Sequence, residues 1–259
     1  MIPSDTPLRT DQKKTEAGRL LSFSRRLFRA LKRTPLHPQW LALKDEEPQL
    51  GAIADRLHGR VLEIGSGNRR LEKHLRADTS YIGLDYPPSG KRYDNRPDVW
   101  GDAARLPFRD ATMDAIVMLE VVEHLPDSRT ALCEAGRVVT PAGQVWLSLP
   151  FLYPIHDAPY DFSRLTQFGL EQLAAEAGLE IIHIAERGGP GESAALLASL
   201  ALAQTALQSM ERLSLKALVA LPLMLLVPLI NVAGWLLARM IPVKRFMPMG
   251  YVAVLAKIA

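Results

Sequence analysis

Between residues 45 and 186 the chain alternates between two hydrophobic periods, and this alternation constrains its fold more than any other feature. "DEEPQLGAIADRL" has helical spacing and leads into the apolar run "RVLEIGSG". "TSYIGLDY" and the shorter "DVWGDA" follow as strands, each closing on or near an acid. "MDAIVMLEVVEHL" begins as a buried strand and passes into a loop or helix. "SRTALCEAGRVV" is a helix stopped by "TPAG", and "QVWLSLP" is the next strand. "RLTQFGLEQLAAEAG" is a helix closed by Gly178, a suitable C-cap, before the strand "LEIIHIAE"; "GYVAVLAKI" supplies a last strand. Strands separated by helices predict an α/β fold: a seven-stranded, mostly parallel, Rossmann-like sheet with helices on both faces.

The stretch "VLEIGSGNRRLEKHL" (61–75) carries the chemistry. A strand runs into Gly65-Ser66-Gly67 and then into a predicted helix, whose first N–H groups are free for a ligand. Folds that bind dinucleotides and folds that bind S-adenosylmethionine share this arrangement. The dinucleotide fingerprint needs a third glycine three residues on, where this chain has Arg70. Glu63, two residues before Gly65, would repel a pyrophosphate but suits a ligand bearing an ammonium and a sulfonium. Asp102, in "GDAARLPF", is placed to hold an adenine amino group.

With these pieces the sequence resembles the class I S-adenosylmethionine-dependent methyltransferases, most closely the group called type 11, over roughly residues 45–186 and 249–258. The resemblance implies an antiparallel last strand and S-adenosyl-L-methionine as cofactor. It implies that Glu63, Gly65, Ser66 and Gly67 hold the methionine part. It places Asp85 at the ribose hydroxyls, Asp102 and Ala103 at the adenine, and Glu120 beside the cofactor. His124, in "VVEHLPD", is a possible base, but the resemblance implies that the Glu123-His124 pair helps build the cofactor wall. Where the family usually has a further glycine this chain has Arg69, which points either to solvent or toward an anion.

The acceptor pocket is expected beyond the fifth strand, at the carboxyl ends of the sheet. There "LPFLYPIHDAPYDFSRLTQFGL" interleaves Phe151, Tyr153, Tyr160 and Phe162 with His156, Asp157, Asp161 and Arg164. His156 is the candidate base or orienting group; Tyr153, Tyr160 and Arg164 are candidate substrate contacts. Equally, Asp161 and Arg164 brace the loop and cap the helix starting near Thr166. Three ligands in one segment, His156, Asp157 and Asp161, without a second cluster, predict no metal.

About 60 residues separate the sixth and seventh strands, where the family has a short hairpin. They include "SAALLASLALAQTALQSM" and "ALVALPLMLLVPLINVAGWLLA", neither with a charged side chain. They read as an apolar helical hairpin, bent at Pro222 and Pro228. Both ends return to the sheet, which excludes a single crossing; two crossings, a re-entrant hairpin or a monotopic attachment remain. Residues 1–33 hold nine Lys/Arg against three Asp/Glu, while the whole chain is only +3. Within this arm, residues 19–33 set Leu20, Phe23, Leu27 and Leu31 among basic residues at helical spacing, as in a helix lying on anionic lipid. One cysteine, Cys133, excludes an internal disulfide and fits a reducing compartment, and the N-terminus lacks a secretory h-region. The expected organisation is a basic arm (1–44), a methyltransferase domain (45–186 and 247–259) and an apolar insertion (187–246). The expected function is methyl transfer to an amphipathic or lipid-linked acceptor at the cytoplasmic face of a membrane. A soluble small-molecule enzyme with the insertion as lid, and a non-catalytic binding module, are the alternatives. Nucleic acid is not expected as a partner, since no Asn/Asp-Pro-Pro-Tyr/Phe motif occurs; the oligomeric state is not legible.

Overall fold

A computed structural model describes residues 31–90, 96–212, 217–241, 243 and 246–258. Most of the basic helix expected over 19–33 lies outside these residues, as do Lys216, Lys244 and Arg245 around the insertion.

Seven strands form one sheet in the order β3-β2-β1-β4-β5-β7-β6. They are β1 (Arg60–Ile64), β2 (Ser80–Asp85), β3 (Val99–Trp100), β4 (Met113–Leu119), β5 (Val139–Pro150), β6 (Leu179–Arg187) and β7 (Gly250–Lys257). Strands β1 to β5 pair in parallel, and β7 runs antiparallel between β5 and β6. The helices are α1 (Trp40–Leu43), α2 (Glu46–Ala54), α3 (Pro87–Gly90), α4 (Ser128–Val138), α5 (Gln167–Glu176), α6 (Pro190–Glu211), α7 (Ala217–Leu223) and α8 (Val227–Met240).

The central strands are apolar on both faces because both faces are covered. Successive side chains alternate: Leu62, Ile64, Ile116 and Leu147 pack with Leu132 of α4 and Leu170 of α5 on one side. Val61, Ala115, Val117 and Trp146 pack with Leu50 and Ile53 of α2 on the other. Local signals set the helix ends. Asp127 accepts from the Thr130 N–H at 3.0 Å, Thr166 Oγ1 accepts from the Gly169 N–H at 3.1 Å, and Gly178 closes α5 at φ +70°.

Two expectations are corrected. "TPAG" does not separate helix from strand; it bulges within β5, where pairing jumps from Met113–Val139 to Ala115–Gln144. The Gly-Ser-Gly loop does not open into a helix either. Turns lead to a single 3-10 turn, Leu71–His74, and the Arg70 guanidinium pairs with Glu46 and Glu47 of α2 instead.

The insertion is a helical hairpin, as expected, and α6 begins within the "GGPG" breaker with Pro190 in its first turn. Its second arm is bent, since a 3-10 turn, Met224–Leu226, interrupts it between Pro222 and Pro228. The arms approach closely at small residues. A Cβ on Gly234 would come within 2.3 Å of the Ala195 Cβ and 2.7 Å of the Gly191 carbonyl. Fully buried Asn231 accepts from Ser199 Oγ at 3.0 Å. It also donates to the carbonyls of Pro35 (2.8 Å) and His37 (3.0 Å), fastening the hairpin to the segment before α1. Leu41, Ala195, Leu196 and Met249 form a small core there, with Trp40, Tyr153 and Trp235 packed against it. Arg187 pairs with Gly250, so the hairpin leaves and re-enters the sheet at one point.

Asn231→Ala is expected to leave two carbonyls and a hydroxyl without this partner and to destabilise the hairpin contact by about 1–3 kcal/mol. Limited proteolysis should then open the chain around residues 31–39 while the sheet stays resistant; an unchanged cleavage pattern contradicts this role.

Candidate cofactor and acceptor site

The carboxyl ends of β1, β2 and β4 build the cleft. Gly65 (φ +74°) and Gly67 (φ +48°) turn the chain back across the sheet in the left-handed region. At Gly65 a Cβ would also strike Val121 at 2.5 Å. The buried Asp85 carboxylate fixes the loop, its Oδ2 accepting from the Gly67 N–H at 2.7 Å and Ser66 Oγ at 3.1 Å. Burial raises the Asp85 pKa against these two bonds.

Two pockets open around this loop. One, of about 230 Å³, is lined by Leu84, Asp85, Asp102, Ala103, Val121, Tyr160 and Phe162, among others. The other, of about 560 Å³, is lined by Glu63, Gly65, Ser66, Gly67, Tyr153 and His156, among others. Gly65, Glu120, His124 and Asp157 line both, so the two are lobes of one cleft. All eight predicted cofactor residues line it. Asp102 also accepts from the Ala104 N–H at 2.9 Å. Glu120 Oε1 accepts from Ser148 Oγ at 2.8 Å and pairs with Arg187.

The smaller lobe is a largely apolar slot with four carboxylates, Asp85, Asp102, Glu120 and Asp157, and no Lys or Arg among its described lining residues. That fits an adenosine and disfavours a phosphate. Glu63, at the other lobe, is 5% exposed and accepts from the Tyr81 hydroxyl. Burial raises its pKa to about 7, with the Asp85 carboxylate adding to the shift. A cation brought there would favour the ionised form, which matches the charge of a methionine-derived sulfonium.

Arg69 shows why glycine is usual at its position: the backbone is left-handed there, φ +53°. Its side chain does not reach the cleft. It pairs with Glu72 (2.7 Å) and Asp98 (2.9 Å) and lies over the Tyr81 ring. Glu120 and Asp157, beside the cleft, also have positive φ, as backbone around functional sites often does.

Of the candidate acceptor residues, Tyr153, Tyr160 and His156 line the cleft. Tyr153 Oη accepts from Gln39 Nε2 at 2.7 Å. Arg164 lines neither lobe; it grips Asp161 at 2.5 and 2.8 Å and donates to the Pro154 and Ser163 carbonyls. It therefore braces the loop, the second of its two sequence readings. This pairing holds the Asp161 carboxyl well below the usual carboxylate range.

The sequence reading placed Glu123 only in the Glu-His pair that the resemblance assigns to the cofactor wall. Its carboxylate is 2% exposed, neither oxygen has a hydrogen-bond partner, and burial raises its pKa to about 8, with Glu120 adding to the shift. It faces His124 and His156, and the donor atoms of all three lie within 4.8 Å of one another. The expectation of no metal, drawn from His156, Asp157 and Asp161, therefore overlooked a different triplet. Only its adjacency to His124 in "VVEHLPD" signalled it.

Residues 62–147 match the family model described as a methyltransferase domain. A probable S-adenosylmethionine-dependent methyltransferase of Mycolicibacterium smegmatis is 34% identical over 143 residues, covering 50% of this chain and 55% of its own length. Residues 62–147 thus form a methyltransferase domain similar to those of S-adenosylmethionine-dependent methyltransferases. A ubiquinone/menaquinone biosynthesis C-methyltransferase of a Caulobacter species is 40% identical over 147 residues, 46% of this chain and 58% of that protein. The chain thus spans just over half the length of these curated relatives. The crystal structure of the [4+2]-cyclase SpnF superposes with a TM-score of 0.53 at 18% identity, covering 83% of this chain and 81% of that one. This likeness is one of fold. The methyltransferase domain's cofactor is S-adenosylmethionine.

Two measurements test the assignment. Calorimetry should show S-adenosylmethionine affinity rising with pH through about 7 as Glu63 ionises, and Glu63→Gln should flatten that rise. The native chain keeps the Glu63 proton up to about pH 7, whereas the unfolded chain releases it near 4.5. Its contribution to stability, about 3 kcal/mol, is therefore present in full below pH 4.5 and is lost as the pH rises through 7. A melting profile in Glu63→Gln as steep as the parent's between pH 5 and 7 contradicts this. Asp85→Asn should weaken cofactor binding by about 10–100-fold, from the loss of charge-assisted hydrogen bonds.

Proposed function

We propose that this protein transfers a methyl group from S-adenosylmethionine to an amphipathic or lipid-linked acceptor, working from the cytoplasmic face of a membrane. One observation carries the reading: an apolar hairpin leaves the sheet at the same end, the carboxyl end of the parallel strands, at which the cleft lies. Its second arm, Leu221–Met240, has a mean hydropathy of 2.1 and is only 17% buried; the first, Pro190–Met210, is 33% buried. Leu218, Leu225, Leu229, Leu237 and Met240 are among the large apolar side chains it exposes. An exposed apolar face of this extent marks a surface that water does not cover in use. No described hairpin residue lines either lobe, which favours a membrane contact over a lid. Lys32, Ala42 and Leu43 contribute to the wall there instead.

The length of the hairpin favours a monotopic attachment. Beyond Ser199, where Asn231 ties it to the body, α6 has twelve residues left. They extend it by about 18 Å, enough for one leaflet and short of the hydrocarbon core of about 30 Å. A basic N-terminal arm is a second weak anchor of the kind that makes such attachments stable.

Within the cleft, Glu63, Asp85 and Asp102 hold and orient the cofactor, which supplies a methyl carbon activated by its sulfonium. Tyr153, in the larger lobe, presents apolar surface to the acceptor while Tyr160 and Phe162 wall the adenosine lobe, and His156 is the candidate group to orient the acceptor or take its proton. A quinone-pathway relative is consistent with an apolar acceptor and supports the same reading.

Flotation with anionic phospholipid vesicles should recover the protein in the vesicle layer. The pair Leu225→Asp and Leu229→Asp should leave it at the bottom without altering S-adenosylmethionine affinity. Lipid extracts from cells with and without the protein should differ by a species one methylene heavier. Flotation that does not depend on these leucines, or a methylated product confined to the aqueous phase, would count against the proposal.

A further inference from the structure

We propose that Glu123, His124 and His156 form a binding site for a divalent transition-metal ion of zinc's class at the acceptor side of the cleft. The inference rests on the proposed methyltransferase reading for its purpose, but not for its geometry.

The three side chains converge. His124 Nε2 lies 3.7 Å, and His156 Nε2 3.9 Å, from the same oxygen, Glu123 Oε1. These separations are too long for hydrogen bonds and slightly wider than those around a bound ion. Tetrahedral zinc, with bonds of 2.0–2.1 Å, holds its ligand atoms about 3.3 Å apart. A small contraction closes the site.

The tautomers are already set on one ring and favoured on the other. His124 Nδ1 lies 2.6 Å from the Tyr160 carbonyl, which can only accept, so the proton sits on Nδ1 and Nε2 keeps its lone pair. His156 Nδ1 lies 3.3 Å from Asp161 Oδ2 and 3.3 Å from the Pro154 carbonyl, two acceptors that draw a proton to it. Arg164 Nη2, also 3.3 Å away, is engaged by Asp161 and Pro154. Metal-bound histidines are typically oriented in this manner, the far nitrogen donating to a carbonyl or carboxylate.

The carboxylate supplies an independent reason. Glu123 is almost wholly buried and both its oxygens lack a partner, an arrangement that is costly unless a cation or a proton compensates it. Two histidines and one carboxylate form a donor set that leaves coordination positions open. Both histidines line the larger lobe, and His124 also lines the cofactor lobe. The open positions therefore face the space between cofactor and acceptor. An acceptor hydroxyl bound there would lose its proton to solvent more readily. Its oxygen lone pair would then form the new O–C bond as the C–S bond breaks, with that electron pair returning to sulfur.

The test uses the full chain in detergent, stripped with a chelator and titrated with zinc by calorimetry, with cobalt as a spectroscopic probe. The expected result is one zinc per chain and visible cobalt bands. His124→Ala, His156→Ala and the near-isosteric Glu123→Gln should each weaken zinc binding at least about 10-fold, with melting profiles showing a folded protein. Cys133→Ser should leave zinc binding as it is. Absence of stoichiometric zinc overturns the site, as does binding indifferent to all three substitutions. S-adenosylmethionine binding measured on the same samples separates the two claims. Zinc without cofactor binding defeats the methyltransferase reading alone, and cofactor without zinc binding defeats the metal site alone.

Discussion

The site depends on one buried carboxylate. Asp85 ends β2, and its Oδ2 holds the Gly67 N–H and the Ser66 hydroxyl, so the loop after β1 is tied to the neighbouring strand. That tie adds to the Gly65 and Ser66 N–H groups, which donate to the Leu84 carbonyl at 2.8 and 3.2 Å, in holding the turn against β2. The arrangement is stable because the strands beneath it are apolar on both faces and the alternation of Val61, Leu62 and Ile64 fixes their register. The cleft thus inherits its rigidity from the core, through these backbone bonds and one charged group that is costly to bury.

A second constraint places the apolar hairpin relative to the cleft. Because β7 runs antiparallel between β5 and β6, the insertion starts and ends at the Arg187–Gly250 pair. That pair lies at the edge where the parallel strands also end. Arg187 reaches back to Glu120 in the cleft, and Tyr153 joins the small core at the hairpin's base. The base of the hairpin and the cleft are therefore linked through Arg187 and Tyr153, though no described hairpin residue lines the cleft. An acceptor with a polar reactive end and a long apolar remainder matches both halves of this geometry.

Much of this was legible in the chain. Strand identity followed from apolar runs with their own boundaries, and the residues that line the cleft followed from motif order, since each lies at or just after the end of a strand. The misses share a cause: they depend on contacts between segments distant in sequence. The helix expected after Gly67 is replaced by turns in which Arg70 is drawn to α2. The bulge at "TPAG" arises from pairing with β4. Arg164 read equally well as anchor or brace until Asp161 was seen to engage it. Glu123 was legible only as half of a Glu-His pair, because its significance lies in having no partner in a place where polar groups normally have one.

The domain fixes the cofactor more firmly than the acceptor, for fold alone does not set the reaction, as the likeness to a [4+2]-cyclase illustrates. The central claim is that this domain methylates an apolar molecule supplied from a membrane. It is tested most directly by incubating the detergent-free protein with S-adenosylmethionine carrying a labelled methyl group and with membranes from its own cells, then partitioning the products. The account predicts label in the organic phase that disappears with Asp85→Asn. Label confined to the aqueous phase, or organic label indifferent to that substitution, would contradict it.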